Sequence, residues 1–246
     1  MARYKLLLEW DGRPFAGWQR QDGVPSIQQS LEEAVERYCG EQVNVFGAGR
    51  TDAGVHALGM AASFELVAEK DPREVMKALN AHLRPAPISV LSARRAAEDF
   101  HARFSCTGRR YMYRYINRRA PLALEAGRAW LWGRPMDEKA MAEAGKVLEG
   151  RHDFSAFRSA ECQADSPVKT MGRVDVERVG EEIRLHVAAR SFLHNQVRII
   201  AGTLRDVGIG KLTADDVRAA LETGDRRKAG ETAPPDGLYF MEAMYE

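Results

Sequence analysis

The stretch Gly47-Ala48-Gly49-Arg50-Thr51-Asp52-Ala53-Gly54-Val55-His56 gathers glycines around one acid. A dinucleotide-binding loop needs Gly-x-Gly-x-x-Gly, and Asp52 stands where the third glycine belongs. A Walker loop needs a lysine before its Ser or Thr. Gly49 and Gly54 have that spacing, but Val55-His56 replaces the Lys-Ser/Thr pair. Asp52 would also repel a phosphate. What remains is an acid on a glycine-rich connection between two strands, where the backbone can turn sharply and approach a ligand. Arg50 is close enough in sequence to share its pocket. Taken alone, an Asp in such a loop is first a turn residue, because its side chain caps turns.

A second feature is basic. From Arg94 to Arg119 there are eight arginines (Arg94, Arg95, Arg103, Arg109, Arg110, Arg114, Arg118, Arg119) against Glu98 and Asp99. Phe100, Phe104, Tyr111, Tyr113 and Tyr115 are interleaved with them. Cations for phosphates and rings for bases suit a nucleic-acid surface. A solvated strand face balanced by acids elsewhere fits the composition equally well.

The whole chain of 246 residues carries a formal net charge of +1, so its total charge announces no polyanionic partner. With 45% hydrophobic and 29% charged residues, it reads as globular and able to bury a core. The start, Met1 to Glu9, lacks the apolar core of a signal peptide, and no uncharged run could span a bilayer. The expected location is the cytoplasm. Cys39, Cys106 and Cys162 are scattered, which argues against disulfides and against a structural zinc site.

The elements that must position these residues are legible from caps and periodicity. Ser26-Ile27-Gln28-Gln29 has the form of a capping box before Leu31, Ala34, Val35 and Tyr38. Asp71-Pro72 opens a second helix, Asp137 a third closed by Gly150, and Thr213 to Asp216 caps a fifth. Residues 195–207 form a fourth, with Val197, Ile200, Ala201, Leu204 and Val207 on one face. Strands are expected at 4–10, 43–46, 61–66 and 88–91, then at 109–116, 173–177, 183–187 and 238–241. Residues 151–170 read as a loop with a short helix near 152–157. The element order predicts an α+β fold of two ferredoxin-like or RRM-like halves, each an antiparallel sheet with helices on one face. The expected domains are 1–105, carrying the glycine-rich loop, and 106–246, with a central cleft between them as the ligand site.

The string Gly49-Arg50-Thr51-Asp52-Ala53-Gly54-Val55-His56-Ala57 closely resembles the active-site motif of the tRNA pseudouridine synthase A family. The resemblance recurs along almost the full length. It includes Tyr4 to Gly12 with Phe15-Ala16-Gly17-Trp18-Gln19, then Val24 to Gln28, Phe100-His101-Ala102-Arg103-Phe104, and Arg109 to Tyr115. It continues through Ser191 to Arg198 with Gly202-Thr203-Leu204, and Ala233 to Tyr239. Gln196 departs from the methionine more often expected there.

The resemblance implies an isomerase that converts uridine to pseudouridine in the tRNA anticodon stem-loop, at nucleotides 38, 39 and 40. It implies a homodimer with no cofactor and no metal. Asp52 would be the nucleophile, attacking either C6 of the base or C1′ of the ribose. Arg198 would fix the carboxylate. Tyr111 would stack on the uracil or help remove the C5 proton. Arg50 would be a further RNA contact. Tyr113 is either a core neighbour of Tyr111 or a second stacking residue, and His194 either touches RNA or packs. His56 receives no catalytic role. A non-catalytic RNA-binding protein of the same architecture is the alternative, and it has no use for an acid beside bound RNA.

Overall fold

The computed structural model describes residues 1–245. In chain order the elements are β1 (Ala2–Trp10), α1 (Ile27–Cys39), β2 (Phe46–Gly47), β3 (His56–Leu66), α2 (Pro72–His82), β4 (Ile88–Arg95), β5 (Gly108–Ile116), β6 (Trp130–Leu131), α3 (Glu138–Val147), β7 (Gly150–Asp153), β8 (Val168–Val179), β9 (Glu182–Ala189), α4 (Gln196–Gly208), α5 (Ala214–Thr223) and β10 (Leu238–Met244). Short 3₁₀ turns lie at Ser155–Phe157, Arg226–Lys228 and Pro235–Gly237. The fold is mixed α and β with mostly antiparallel strand pairs, as expected. Two compact units form, one of Met1–Thr107 with Tyr239–Glu246, the other of Gly108–Leu238.

In the first unit β1 is central. It pairs antiparallel with β3 on one side and with β4 on the other. β2 pairs antiparallel with one end of β3, and β10 runs parallel to the other end. The sheet sequence β4-β1-β3-β2 is the ferredoxin-like arrangement. Along β1, Tyr4, Leu6, Leu8 and Trp10 alternate into the core, the period of two that a half-buried strand requires. Ile27, Leu31, Ala34 and Val35 of α1 are buried at helical spacing. Ile27, Leu31 and Val35 each contribute about 1.5–3 kcal/mol by leaving water, and the single methyl of Ala34 less.

In the second unit β5 pairs antiparallel with β9, β9 with β8, and β8 with β7, while β6 lies parallel to β5. The helix α4 is not the one-sided helix that its periodicity suggests. Every residue of it is buried except Arg198.

Several boundaries differ from the sequence reading. β2 is only two residues, since Gln42 to Val45 make no ladder. β3 begins at His56, earlier than expected. β6 and the short β7 were not anticipated, because neither shows an alternating run. β8 begins at Val168, inside the segment read as a loop. The box at Ser26 is half formed: its Oγ accepts from Gln29 N–H at 3.3 Å, but the Gln29 amide donates to Glu33 instead. The α5 box is complete. Cys39, Cys106 and Cys162 are not joined in disulfides. Among the described residues no helix is long and apolar enough to cross a membrane.

Candidate active-site residues

In the first unit, Arg50 and Asp52 share the loop between β2 and β3. Arg50 is exposed, Asp52 is half-buried and Thr51 between them is buried. The Asp52 carbonyl accepts from Val55 N–H at 3.2 Å, which closes the turn. The segment from Gly12 to Trp18 holds the loop from below. Trp18 N–H donates to the Thr51 carbonyl at 3.1 Å, and Gly54 N–H donates to the Phe15 carbonyl at 3.3 Å. Gly17 has φ +107°, and a Cβ there would lie 2.4 Å from the Thr51 carbonyl oxygen. Only glycine permits that approach. The same segment is tied to α1, because Ile27 N–H donates to the Gly17 carbonyl and Gln28 N–H to that of Trp18. The Phe15-Ala16-Gly17-Trp18 motif is therefore a cradle that transmits the position of α1 to Asp52.

His56 is structural within this unit. It is buried, its Nδ1 accepts from Gly12 N–H at 3.0 Å, and its ring stacks on Tyr239 at 4.7 Å. Asp11 Oδ1 lies 3.4 Å from the same nitrogen. Trp10 Nε1 donates to the Val55 carbonyl at 3.0 Å, so both residues after the turn are anchored. The Thr51 hydroxyl is buried without a hydrogen-bond partner.

In the second unit, Arg198 is clamped. Its Nε donates to the Ala233 carbonyl at 2.7 Å, and its Nη1 donates to Asn195 Oδ1 at 2.9 Å. Asn195 sits at the N-terminus of α4 with φ 61°, which Asn tolerates better than most residues. Ala233 is fixed in turn, since its N–H donates to the Arg198 carbonyl at 3.1 Å. The strap 229–234 lies directly on α4 because two glycines meet there. A Cβ on Gly202 would lie 1.9 Å from the Glu231 carbonyl oxygen, and Gly230 N–H donates to Thr203 Oγ1 at 2.8 Å. The Gly202-Thr203 and Ala233-Pro234 motifs thus act together to aim one arginine. Gln196, the departure from the family pattern, is buried and accepts from Leu193 N–H at 2.8 Å through Oε1. It satisfies a donor just before the helix that methionine could satisfy only weakly.

Tyr111 is buried on β5, with its ring edge-on to Phe192 at 5.1 Å. Tyr113, two residues on, is fully buried, and its hydroxyl donates to the Pro234 carbonyl at 2.8 Å. Burial pushes its pKa well up, followed by the neighbouring Tyr115, against a smaller opposing effect of Arg198. Tyr113 is a core residue and keeps its proton. Tyr115 likewise donates to the Ala201 carbonyl. His194 is exposed, and its backbone N–H donates to Cys162 Sγ at 3.4 Å.

The arginine-rich stretch is not uniform. Arg114 is ion-paired with Glu182 and Glu125, Arg118 with Glu181, and Arg95 with Glu69. Arg94, Arg103, Arg110 and Arg119 are exposed. Sequence reasoning placed Asn195, Phe192 and Ala233 within the matched motifs but gave none of them a role. An Asn before a helix was a usable signal for the first; the other two act through contacts that no local pattern shows. Among the described residues no group of three or more His, Cys, Asp or Glu side chains is gathered to hold a metal ion.

A family model described as tRNA pseudouridine synthase matches residues 8–105 and 144–246. Arg50, Asp52 and Arg198 lie within those stretches, and Tyr111 falls between them. Proteins named tRNA pseudouridine synthase A are similar over the full chain. That of Rhodospirillum rubrum is 59% identical over 100% of this chain and 88% of its own length. That of Rhodospirillum centenum is 59% identical over 100% of both. Among solved structures, a chain of a Cbf5-Nop10-Gar1 complex aligns with a TM-score of 0.33 and 10% identity, over 96% of this chain and 57% of that one. That is below the level of a shared fold.

Proposed function

Because the chain belongs to the tRNA pseudouridine synthase family, we propose that it isomerises uridine to pseudouridine in the tRNA anticodon stem-loop, at nucleotides 38, 39 and 40. Asp52 is the nucleophile. The bond from C1′ to N1 breaks, the base turns, and a bond from C1′ to C5 forms. The C5 proton leaves and N1 takes one up, so nothing is oxidised and no cofactor is required. The carboxylate attacks C6 or C1′. Arg198 orients it through a charge-assisted hydrogen bond, and Tyr111 stacks on the extruded uracil or assists loss of the C5 proton. Arg50 contacts the RNA, at a phosphate or in the space the base vacates. In this reading domain 1–105 supplies Asp52, domain 106–246 supplies Tyr111 and Arg198, and the enzyme is a cytoplasmic homodimer.

The observation that carries the reading is the fixed Asp52 loop, whose complete motif lies inside the family match. Two structural features support it. The Gly12–Trp18 cradle is built to hold the loop backbone, and α4 with its strap is built to hold Arg198. Rigid support of this kind is what a reacting constellation needs.

The test is to incubate the protein with a tRNA transcript and map pseudouridine, with Asp52→Asn in parallel. Pseudouridine is expected at nucleotides 38 to 40 from the wild type and none from the variant. A wild type that forms none would overturn the activity. A variant that still forms it would overturn the role of Asp52. Sedimentation of the purified protein tests the dimer.

A further inference from the structure

The first unit carries three rings in a row that the chemistry above does not use. Phe46 is 46% exposed and Phe104 is 76% exposed. His101 lies between them, 4.7 Å from Phe46 and 4.4 Å from Phe104, with ring planes inclined by 41° and 38°. The Arg103 guanidinium is 5.6 Å from the Phe104 ring centre. A groove of about 250 Å³ opens beside Phe46 and His101, with Arg3, Ser63 and Phe100 in its wall. Its acid Glu65 is paired with Arg3, and Glu41 accepts from Val67 N–H.

The row is held rigidly. His101 Nδ1 accepts from the N–H groups of Arg103 and Phe104 at 3.1 and 3.4 Å. Its proton is therefore on Nε2, and burial together with the charges of Arg3 and Arg103 lowers its pKa and keeps the ring neutral. Ala102 N–H donates to Ser63 Oγ at 3.1 Å, and the Tyr245 hydroxyl donates to the Ala102 carbonyl at 2.7 Å. Large rings left in water on a rigid loop are costly unless a partner covers them.

We propose that Phe46, His101 and Phe104 form a stacking step for unpaired nucleotides of the RNA substrate, with Arg103 beside it for the phosphates. His101 is packed between the two phenylalanines, so the exposed faces of the row are those of Phe46 and Phe104 at its two ends. Successive bases of a single strand need such a series of faces, together with a cation near their backbone. A duplex end could use only one. The partner's identity rests on the RNA substrate of the preceding section, and the step lies outside the Asp52 loop.

Phe104 is the residue to test, since its exposure makes unfolding on substitution a minor concern. The dissociation constant of a tRNA transcript is measured for the wild type, Phe104→Ala, Phe104→Leu and Phe104→Trp, with pseudouridine formation followed in parallel. Loss of one stacking face is worth roughly tenfold in affinity. Ala and Leu are expected to weaken binding by about that factor and lower kcat/KM with it, while Trp stays within about twofold of the wild type. Wild-type affinity in Ala or Leu would overturn the step. A change of sedimentation state in Phe104→Ala at unchanged tRNA affinity would overturn it in favour of a second copy of the chain. Ring-dependent binding without any pseudouridine would overturn the isomerase reading and leave the step standing.

Discussion

Asn195 accepts a 2.9 Å hydrogen bond from Arg198 while its own backbone sits at φ 61°, the one positive φ outside glycine among the described residues. A costly backbone and a useful side chain coincide at the same position. Such strain persists where the surroundings over-determine it. Here it sets Oδ1 against the only residue of α4 that is not buried.

Asn195→Gly keeps the backbone easy and removes the side chain, whereas Asn195→Ala removes the side chain and adds strain. Both are expected to lower pseudouridine formation by about 10- to 100-fold, the cost of a loosened catalytic group. Only Ala should also lower thermal stability, by about 1 kcal/mol. Full activity in the glycine variant would show that the clamp does not matter.

Gly17 and Gly23 separate crowding from backbone conformation. Both have positive φ, but a Cβ at Gly23 meets nothing within 4 Å, and one at Gly17 meets the Thr51 carbonyl. Gly23→Ala is expected to cost about 1 kcal/mol in urea unfolding and to leave turnover intact. Gly17→Ala should cost more and reduce turnover by about 100-fold, because the Asp52 loop must shift. Equal behaviour of the two variants would contradict the cradle.

Gln196→Leu leaves Leu193 N–H without its acceptor. The expected loss is about 1–3 kcal/mol, read from the urea midpoint. Gln196→Met should lose less than Leu if the thioether accepts weakly. A neutral Leu variant would show that the Leu193 amide finds another partner.

Glu182 gives a pH signature. Burial alone would push its pKa up, but hydrogen bonds from Arg114 and Arg184 outweigh that and hold it at about 2 against an ordinary 4.5. A depressed folded pKa means stability that is present above about 4.5 and lost as pH falls toward about 2. Glu182→Gln should therefore be less stable than the wild type at neutral pH, with the gap closing across that window in chemical denaturation. A gap independent of pH would rule out the ion pairs as its cause.

Much of this molecule was readable in one dimension. The α2, α3 and α5 caps lie where Asp71, Asp137 and Thr213 put them, because capping is a short-range hydrogen bond between neighbours. The strands β1 and β9 follow their alternation. β6 and β7 were not legible, since two- and four-residue strands exist only through the partner that pairs them. The roles of residues that act by long-range contact escaped for the same reason: Ala233 reaches Arg198 across 35 positions.

The sequence by itself determined the glycine-rich Asp52 loop, the ferredoxin-like order of the first unit and the family, because these are written in local residue types and an unbroken motif. Only the tertiary structure decided how deeply each tyrosine of β5 is buried, which arginines are neutralised, and why α4 is buried on every side but one. Tyr113 and Tyr111 have the same period, and Arg114 and Arg110 the same charge. Burial and ion pairing are set by what lies across the sheet or over the helix, and local sequence carries no term for that.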